Sequence, residues 1–165
     1  MSRSTRTLIR SLNGIPGLYP LLAFLTARRV AVRGWSMQPT LSPGERVLFD
    51  RLAYQAAAPG RGDIVLAVHP ARPRIRMIKR VAGVPGDSVP RGPGGPLTGT
   101  SRGRDDPAGR LYTAEPAALG RDEYWLLGDA GDASTDSRQL GPFRRRDILA
   151  RAWLVYWPPE RWRRL

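Results

Sequence analysis

From residue 30 onward the apolar positions fall in short runs that turn residues interrupt. VAVRG (30–34), RVLFDRL (46–52), DIVLAVH (63–69), RIRMIKRVAG (74–83), YWLLGD (124–129) and ARAWLVYW (150–157) are rich in β-branched and aromatic residues. Runs of this kind, bounded by glycine and proline, predict strands. SPGE (42–45) and APGRGD (58–63) read as tight connections between them. No helical period emerges in this part of the chain, so the expected fold class is all-β, with mainly antiparallel sheets and long-range pairing.

Two stretches depart from that pattern. Between Arg10 and Arg28 lies SLNGIPGLYPLLAFLTA, uncharged throughout. Its length, roughly 17 residues, is at the lower edge of what spans a bilayer. Asn13, Gly14, Pro16, Gly17 and Pro20 weaken it as a helix. It reads as a marginal membrane span, as a helix lying in the interface, or as a buried structural segment. The second stretch, 88–122, begins SVPRGPGGPLTGTSRGRDDPAGR and is dominated by Pro, Gly and Arg. It is expected to be an insertion on the β core, with RLYTAEP (110–116) as its one short strand. The organisation is therefore a basic and apolar segment at 1–28, a β-rich domain at 29–158 and a basic tail at 159–165.

Composition narrows the chemistry. The 165 residues fit one domain of ordinary size. There is no cysteine, which excludes disulfides and thiolate metal sites, and the single histidine, His69, argues against a multi-histidine site. No cofactor and no metal is expected. The formal net charge of +13 calls for an anionic surface, lipid or nucleic acid. Aromatics make up 8% of residues and are not interleaved with arginine as stacking platforms would be. An anionic membrane surface is thus the expected partner, and nucleic acid is not.

Lys79 is the only lysine among 27 basic residues, on a predicted strand with Met77, Ile78 and Val81 around it. Arginine cannot give up its proton at working pH, whereas a buried lysine can become a neutral amine. A lone lysine in an arginine-rich chain therefore suggests a base. A nucleophile for it stands in GWSMQPTLSPGE (34–45), where Ser36 follows a predicted strand. Serine needs a base to take its proton. His69 is the alternative base, but it sits at a strand end beside prolines. A third polar stretch, GDAGDASTDSRQLGP (128–142), follows YWLL. It lacks the spacing and closing glutamate of a calcium loop. It reads instead as a hydrogen-bonded loop in which Ser134 can orient a lysine, braced by an Asp136–Arg138 ion pair.

Taken together and in order, the three stretches resemble the type I signal peptidases, membrane-bound serine proteases with a Ser–Lys dyad. SMQPTL matches the serine box, RMIKRVAGVPGD the lysine box and GDASTDSRQLGP the late box. GERVLFDRL and ILARAWLVYWPP look like the strands beside those boxes. The resemblance covers about 30–87 and 123–158 and implies a signal-peptidase-like β core. It makes Ser36 the nucleophile and Lys79 the general base. Ser134 falls on the serine that holds the lysine, and Asp136 with Arg138 on the supporting pair. The Ser36 N–H would supply the oxyanion hole. Some members add a hydroxyl two residues earlier, but that position here is Gly34, which leaves a second donor unassigned. The usual Asn after Gly128 and Asp129 is Ala130.

The resemblance implies a serine endopeptidase acting on preprotein or leader-peptide substrates and cutting after a small residue. The implied location is membrane-associated: the bacterial cell membrane, with the catalytic domain on the outer side if the anchor spans, or a soluble or peripheral form if it does not. Two alternatives remain. One is a maturation peptidase dedicated to a single partner, of the nickel superoxide dismutase maturation type. The other is a non-catalytic basic β-domain that binds nucleic acid or membrane.

Overall fold

The computed structural model describes residues 18–89 and 116–165. The readings made for 1–17 and for 90–115, including nearly all of RLYTAEP, lie outside the described residues. Among the described residues there are ten strands: β1 (Arg28–Ala31), β2 (Arg46–Asp50), β3 (Ile64–His69), β4 (Arg72–Gly83), β5 (Ser88–Val89), β6 (Ala117–Ala118), β7 (Glu123–Leu127), β8 (Phe143–Arg144), β9 (Ile148–Trp157) and β10 (Arg163–Arg164). Short α-helices among the described residues are α1 (Leu18–Thr26), α2 (Ala53–Ala56) and α3 (Ser137–Leu140). The expectation of a mainly antiparallel β protein holds.

One sheet carries most of the molecule, in the order β1-β2-β9-β3-β4-β7-β8, with β10 added to β9. Every pairing in it is antiparallel. The residue pattern explains which strands lie deepest. β3 reads IVLAVH without alternation, and its first four residues are buried. Such a run belongs to a strand covered on both faces. Ile64 and Leu66 enter one core cluster with Val47, Phe49 and Val155, while Val65 and Ala67 enter a second with Val81, Leu126 and Phe143. Each buried side chain of this size contributes about 1.5–3 kcal/mol of transfer free energy.

The strand ends differ from the sequence pattern for local reasons. β1 stops at Ala31, although its pairing continues one step through Val32, whose N–H donates to the Glu45 carbonyl at 2.8 Å. Arg33 and Gly34 then leave the sheet toward the serine loop. The SPGE connection closes with Gly44 at φ +91°, a conformation that suits glycine. β5 and β6 pair across the base of the insertion, where Val89, Leu119 and Trp125 pack together.

Residues 159–165 do not form a separate tail. A 3-10 turn at Pro159–Arg161 brings β10 back to pair with β9. Arg161 of the turn and Arg163 of β10 meet the buried Glu45 carboxylate on the serine-loop side, which gives these basic residues a reason to return. At the other end, α1 buries Ala23 and leaves Leu21, Phe24 and Leu25 exposed. Among the described residues, no helix is long and apolar enough to cross a membrane.

Candidate active site

The serine loop is held by its neighbours in sequence. Trp35 is exposed, Ser36 half-buried, and Met37 and Leu41 lie in the first core cluster. The Trp35 carbonyl accepts from the Gln38 N–H at 3.0 Å, and the Met37 carbonyl from the Leu41 N–H at 2.8 Å. Two core anchors and two turn hydrogen bonds thus fix the backbone around Ser36. Its own carbonyl accepts from the Ala130 N–H at 3.1 Å, which ties this loop to the late Gly-Asp loop.

Lys79 sits on β4 opposite Val65 of β3 and is 2% exposed. Its Nζ donates to Ser134 Oγ at 2.8 Å. Burial pushes the amine below its ordinary value. Asp136 pulls it back up, Arg138 works against Asp136, and Asp129 adds a smaller upward pull; the net direction is down. The contact to Ser134 suits a neutral amine, since it uses one N–H and leaves the nitrogen lone pair unspent.

Ser134 is in turn positioned by Asp136, which has no exposed surface. Burial favours the neutral acid at Asp136, but hydrogen bonds outweigh it and hold the carboxyl below its usual range. Those bonds come from the Arg138 guanidinium at 2.8 and 3.0 Å, from the Gly128 N–H at 2.9 Å and from Ser134. Asp136 also caps α3, where Gln139 completes a reciprocal capping box. Arg138 reaches further, to the Gly131 carbonyl. Gly128 is required by its surroundings: a Cβ there would collide with the Ser134 hydroxyl and stand 2.5 Å from the Ser36 carbonyl oxygen.

A second brace was not singled out from the sequence. Arg80 donates to both oxygens of Asp129, at 2.9 and 2.7 Å, and to Thr40 Oγ1 at 3.2 Å. One guanidinium therefore links the strand carrying Lys79, the late loop and the serine loop. Its place next to Lys79 and the Gly-Asp pair at 128–129 were the available signals. Glu45 was also missed. It is 2% exposed, and its carboxylate accepts from Arg161, Arg163 and the Ser42 N–H.

Ser36 and Lys79 open onto one cleft of about 490 Å³. One wall is the 30–37 segment, the other the 76–79 segment of β4, with Leu66 and the late loop completing it. Gly34 lines the cleft, and a Cβ added there would meet nothing within 4 Å. His69 is not part of this cleft. It lies at the far end of the β3–β4 hairpin, where its Nδ1 accepts from the Ala71 N–H at 3.1 Å. The geometry thus gives Ser36 and Lys79 one opening, joins Lys79 to Ser134 and, through Asp136, to Arg138, and leaves the histidine outside the cleft.

Comparison with known proteins identifies the family of the chain. The family model "Signal peptidase, peptidase S26" matches residues 6–157. Mitochondrial inner membrane protease subunit 2 of Danio rerio is 34% identical over 139 residues, covering 81% of this chain and 66% of the relative. A probable signal peptidase I-2 of Synechocystis is 32% identical over 134 residues, covering 76% and 61%. Mitochondrial ATP-independent inner membrane protease subunit 1a of Arabidopsis thaliana is 33% identical over 130 residues, covering 78% and 70%. The chain thus spans a little under two thirds of the first two relatives. It belongs to the signal peptidase, peptidase S26 family.

Proposed function

We propose that the protein is a serine endopeptidase that removes leader or signal peptides from preproteins, cutting after a small residue. The observation that carries this reading is the Lys79 amine. It is buried, shifted toward its neutral form and hydrogen-bonded to a neutral hydroxyl, in a cleft it shares with the one serine that ends β1's loop. Neutral Lys79 takes the Ser36 proton as Oγ attacks the scissile carbonyl. The resulting oxyanion is met by the Ser36 N–H. The ammonium then gives its proton to the departing amine, and a water activated by Lys79 releases the acyl group. This is the Ser–Lys variant of the triad logic.

Topology supports a binding mode. From β1 through β2, β9 and β3 to β4 there are four antiparallel steps, so β1 and β4 run the same way. β1 ends the sheet, and β7 pairs with β4 only from Arg80 onward. Both cleft walls therefore offer a backbone edge to an extended peptide, which would add as a strand between them. Ser36 and Lys79 follow the carboxyl ends of those two edges. A peptide whose residues before the cut fill the cleft thus runs parallel to both walls.

We place the protein at a membrane, on the outer side of a bacterial cell membrane if residues 1–28 span it. Support comes from exposed Leu21, Phe24 and Leu25 on α1, from exposed Trp35 beside Ser36 and from the net charge of +13. The deciding experiment is cleavage of a preprotein by purified wild-type and Ser36→Ala protein. Loss of all cleavage with an unchanged circular dichroism spectrum is expected. Cleavage that survives the substitution would remove Ser36 as nucleophile.

A further inference from the structure

Two arginines of the cleft are not used by the dyad. Arg33 and Arg76 both line the opening, and both are exposed. Neither has an ion pair or side-chain hydrogen bond among the described residues, unlike Arg80, Arg138, Arg161 and Arg163, which all hold carboxylates. Arg33 stands three residues before Ser36, and Arg76 three residues before Lys79. The two walls run in the same direction and end at the dyad. Both residues therefore flank one stretch of bound peptide, roughly 10 Å upstream of the cut at about 3.3 Å per residue.

Two uncompensated cations over the apolar walls of a cleft raise the local concentration of anions. The planar guanidinium fork matches a carboxylate and repels another cation. We propose that the cleft selects peptides carrying an Asp or Glu side chain four or five residues before the scissile bond, held by Arg33 and Arg76, and disfavours Lys or Arg there. The position three residues before the cut is left to the small side chain of the proposed function, on which this proposal rests.

The test is a set of fluorogenic peptides with Ala one and three residues before the cut, and Glu, Gln or Lys at the fourth or fifth. For wild type, kcat/KM should fall by about fivefold from Glu to Gln, the scale of exposed ion pairs, and again from Gln to Lys. The Glu-to-Gln ratio should shrink as salt rises. In the Arg33→Gln/Arg76→Gln variant the ratio should approach one. A control variant, Arg121→Gln/Arg146→Gln, removes two exposed arginines outside the cleft and should keep it. Equal rates for Glu and Gln in wild type overturn the proposal, as does a ratio that survives in the cleft variant. A cleft variant that loses affinity for anionic vesicles while keeping the peptide ratio assigns the arginines to lipid, which also overturns it. If wild type cuts none of the peptides, the catalytic reading fails by itself. Anisotropy of labelled Glu and Gln peptides on Ser36→Ala protein then decides the selectivity separately, a preference for Glu upholding it and equal binding overturning it.

Discussion

Lys79 and Glu45 are equally buried, each 2% exposed, and the fold treats them in opposite ways. Glu45 is compensated. Burial pushes its carboxyl up, but Arg163, the Ser42 N–H and Arg161 outweigh that, and the group stays ionised below its ordinary value. Lys79 is not compensated to the same degree. Its hydrogen bond goes to a neutral hydroxyl, the nearby Asp136 is engaged by Arg138, and burial wins. The fold thus keeps one buried group charged by giving it partners and shifts the other toward its neutral form by giving it fewer. The first holds the serine loop to β10, because Arg163 also reaches the Thr40 carbonyl. The second is left able to take a proton. A buried ionisable group without full compensation marks chemistry more than architecture.

The largest effect should come from making Lys79 as permanent a charge as its surroundings allow. Lys79→Arg keeps the cation and much of the length, yet the guanidinium cannot accept a proton near neutral pH. Cleavage should drop by at least ~10³-fold in a folded protein. The wild-type rise of activity with pH, which follows deprotonation of the amine, should vanish with it. A folded Lys79→Arg enzyme that cuts at close to the wild-type rate would reduce the lone lysine to an accident of composition. Ser134→Ala comes next. It removes the hydroxyl that orients the amine but leaves the amine in place. A loss of about 10²-fold in kcat with little change in KM is expected, the scale of a misplaced reacting group. A change confined to KM would make Ser134 a substrate contact instead.

The two regions were not equally legible in the sequence. The side chains around Lys79 were singled out from the sequence, because Lys79 is chemically odd among arginines and the three boxes are each contiguous. Strand runs such as IVLAVH were legible too, since burial on both faces leaves an unbroken apolar signature. Glu45 was not, because its partners Arg161 and Arg163 lie far along the chain and look like a solvated basic tail. Arg80 with Asp129 was hidden for the same reason: an ion pair across a fold leaves no periodic mark in either segment. Gly34 and Gly128 show the limit within the boxes themselves. Only packing distinguishes the open position from the one where a Cβ has no room.

On the compensated side, Arg163→Met should leave Glu45 with Arg161, itself half-exposed, and the Ser42 N–H. A loss of about 1–3 kcal/mol in unfolding free energy is expected. Glu45→Gln in the same background should recover part of it, since the stranded charge is what costs most. Urea denaturation of the four proteins measures the coupling. Purely additive losses would show that the two residues do not act as a unit.

The same comparison separates along the pH axis. The folded Lys79 titrates below its ordinary 10.5, so between the folded value and 10.5 the unfolded chain binds a proton that the folded chain does not. Stability from this site rises with pH through that window and is lost as pH falls. Glu45, lowered from 4.5, contributes fully above that value and loses its contribution as pH falls toward the folded value. Lys79→Met should therefore flatten the alkaline rise and raise stability near neutrality. Glu45→Gln should weaken only the acid limb. Denaturation midpoints across pH read both, and an unchanged alkaline slope in Lys79→Met would mean that the folded lysine stays charged.

The smallest effect is expected at His69, the one imidazole in the sequence and thus the natural rival to Lys79 as base. Its position argues against that role. It closes the β3–β4 hairpin, with Nδ1 engaged by the Ala71 N–H at 3.1 Å. Val65, four residues earlier on the same strand, is the residue that pairs with Lys79. At about 3.3 Å per residue that separation is roughly 13 Å along the strand, too far for a histidine to reach the cleft serine. His69→Ala should keep more than half of the cleavage rate and leave the pH–rate profile where it was, because the titrating group is elsewhere. The measurement is kcat/KM against pH for both proteins on one peptide. A collapse of activity, or a displaced rising limb, would transfer the role of base to the histidine and leave Lys79 as buried and charged as any structural lysine.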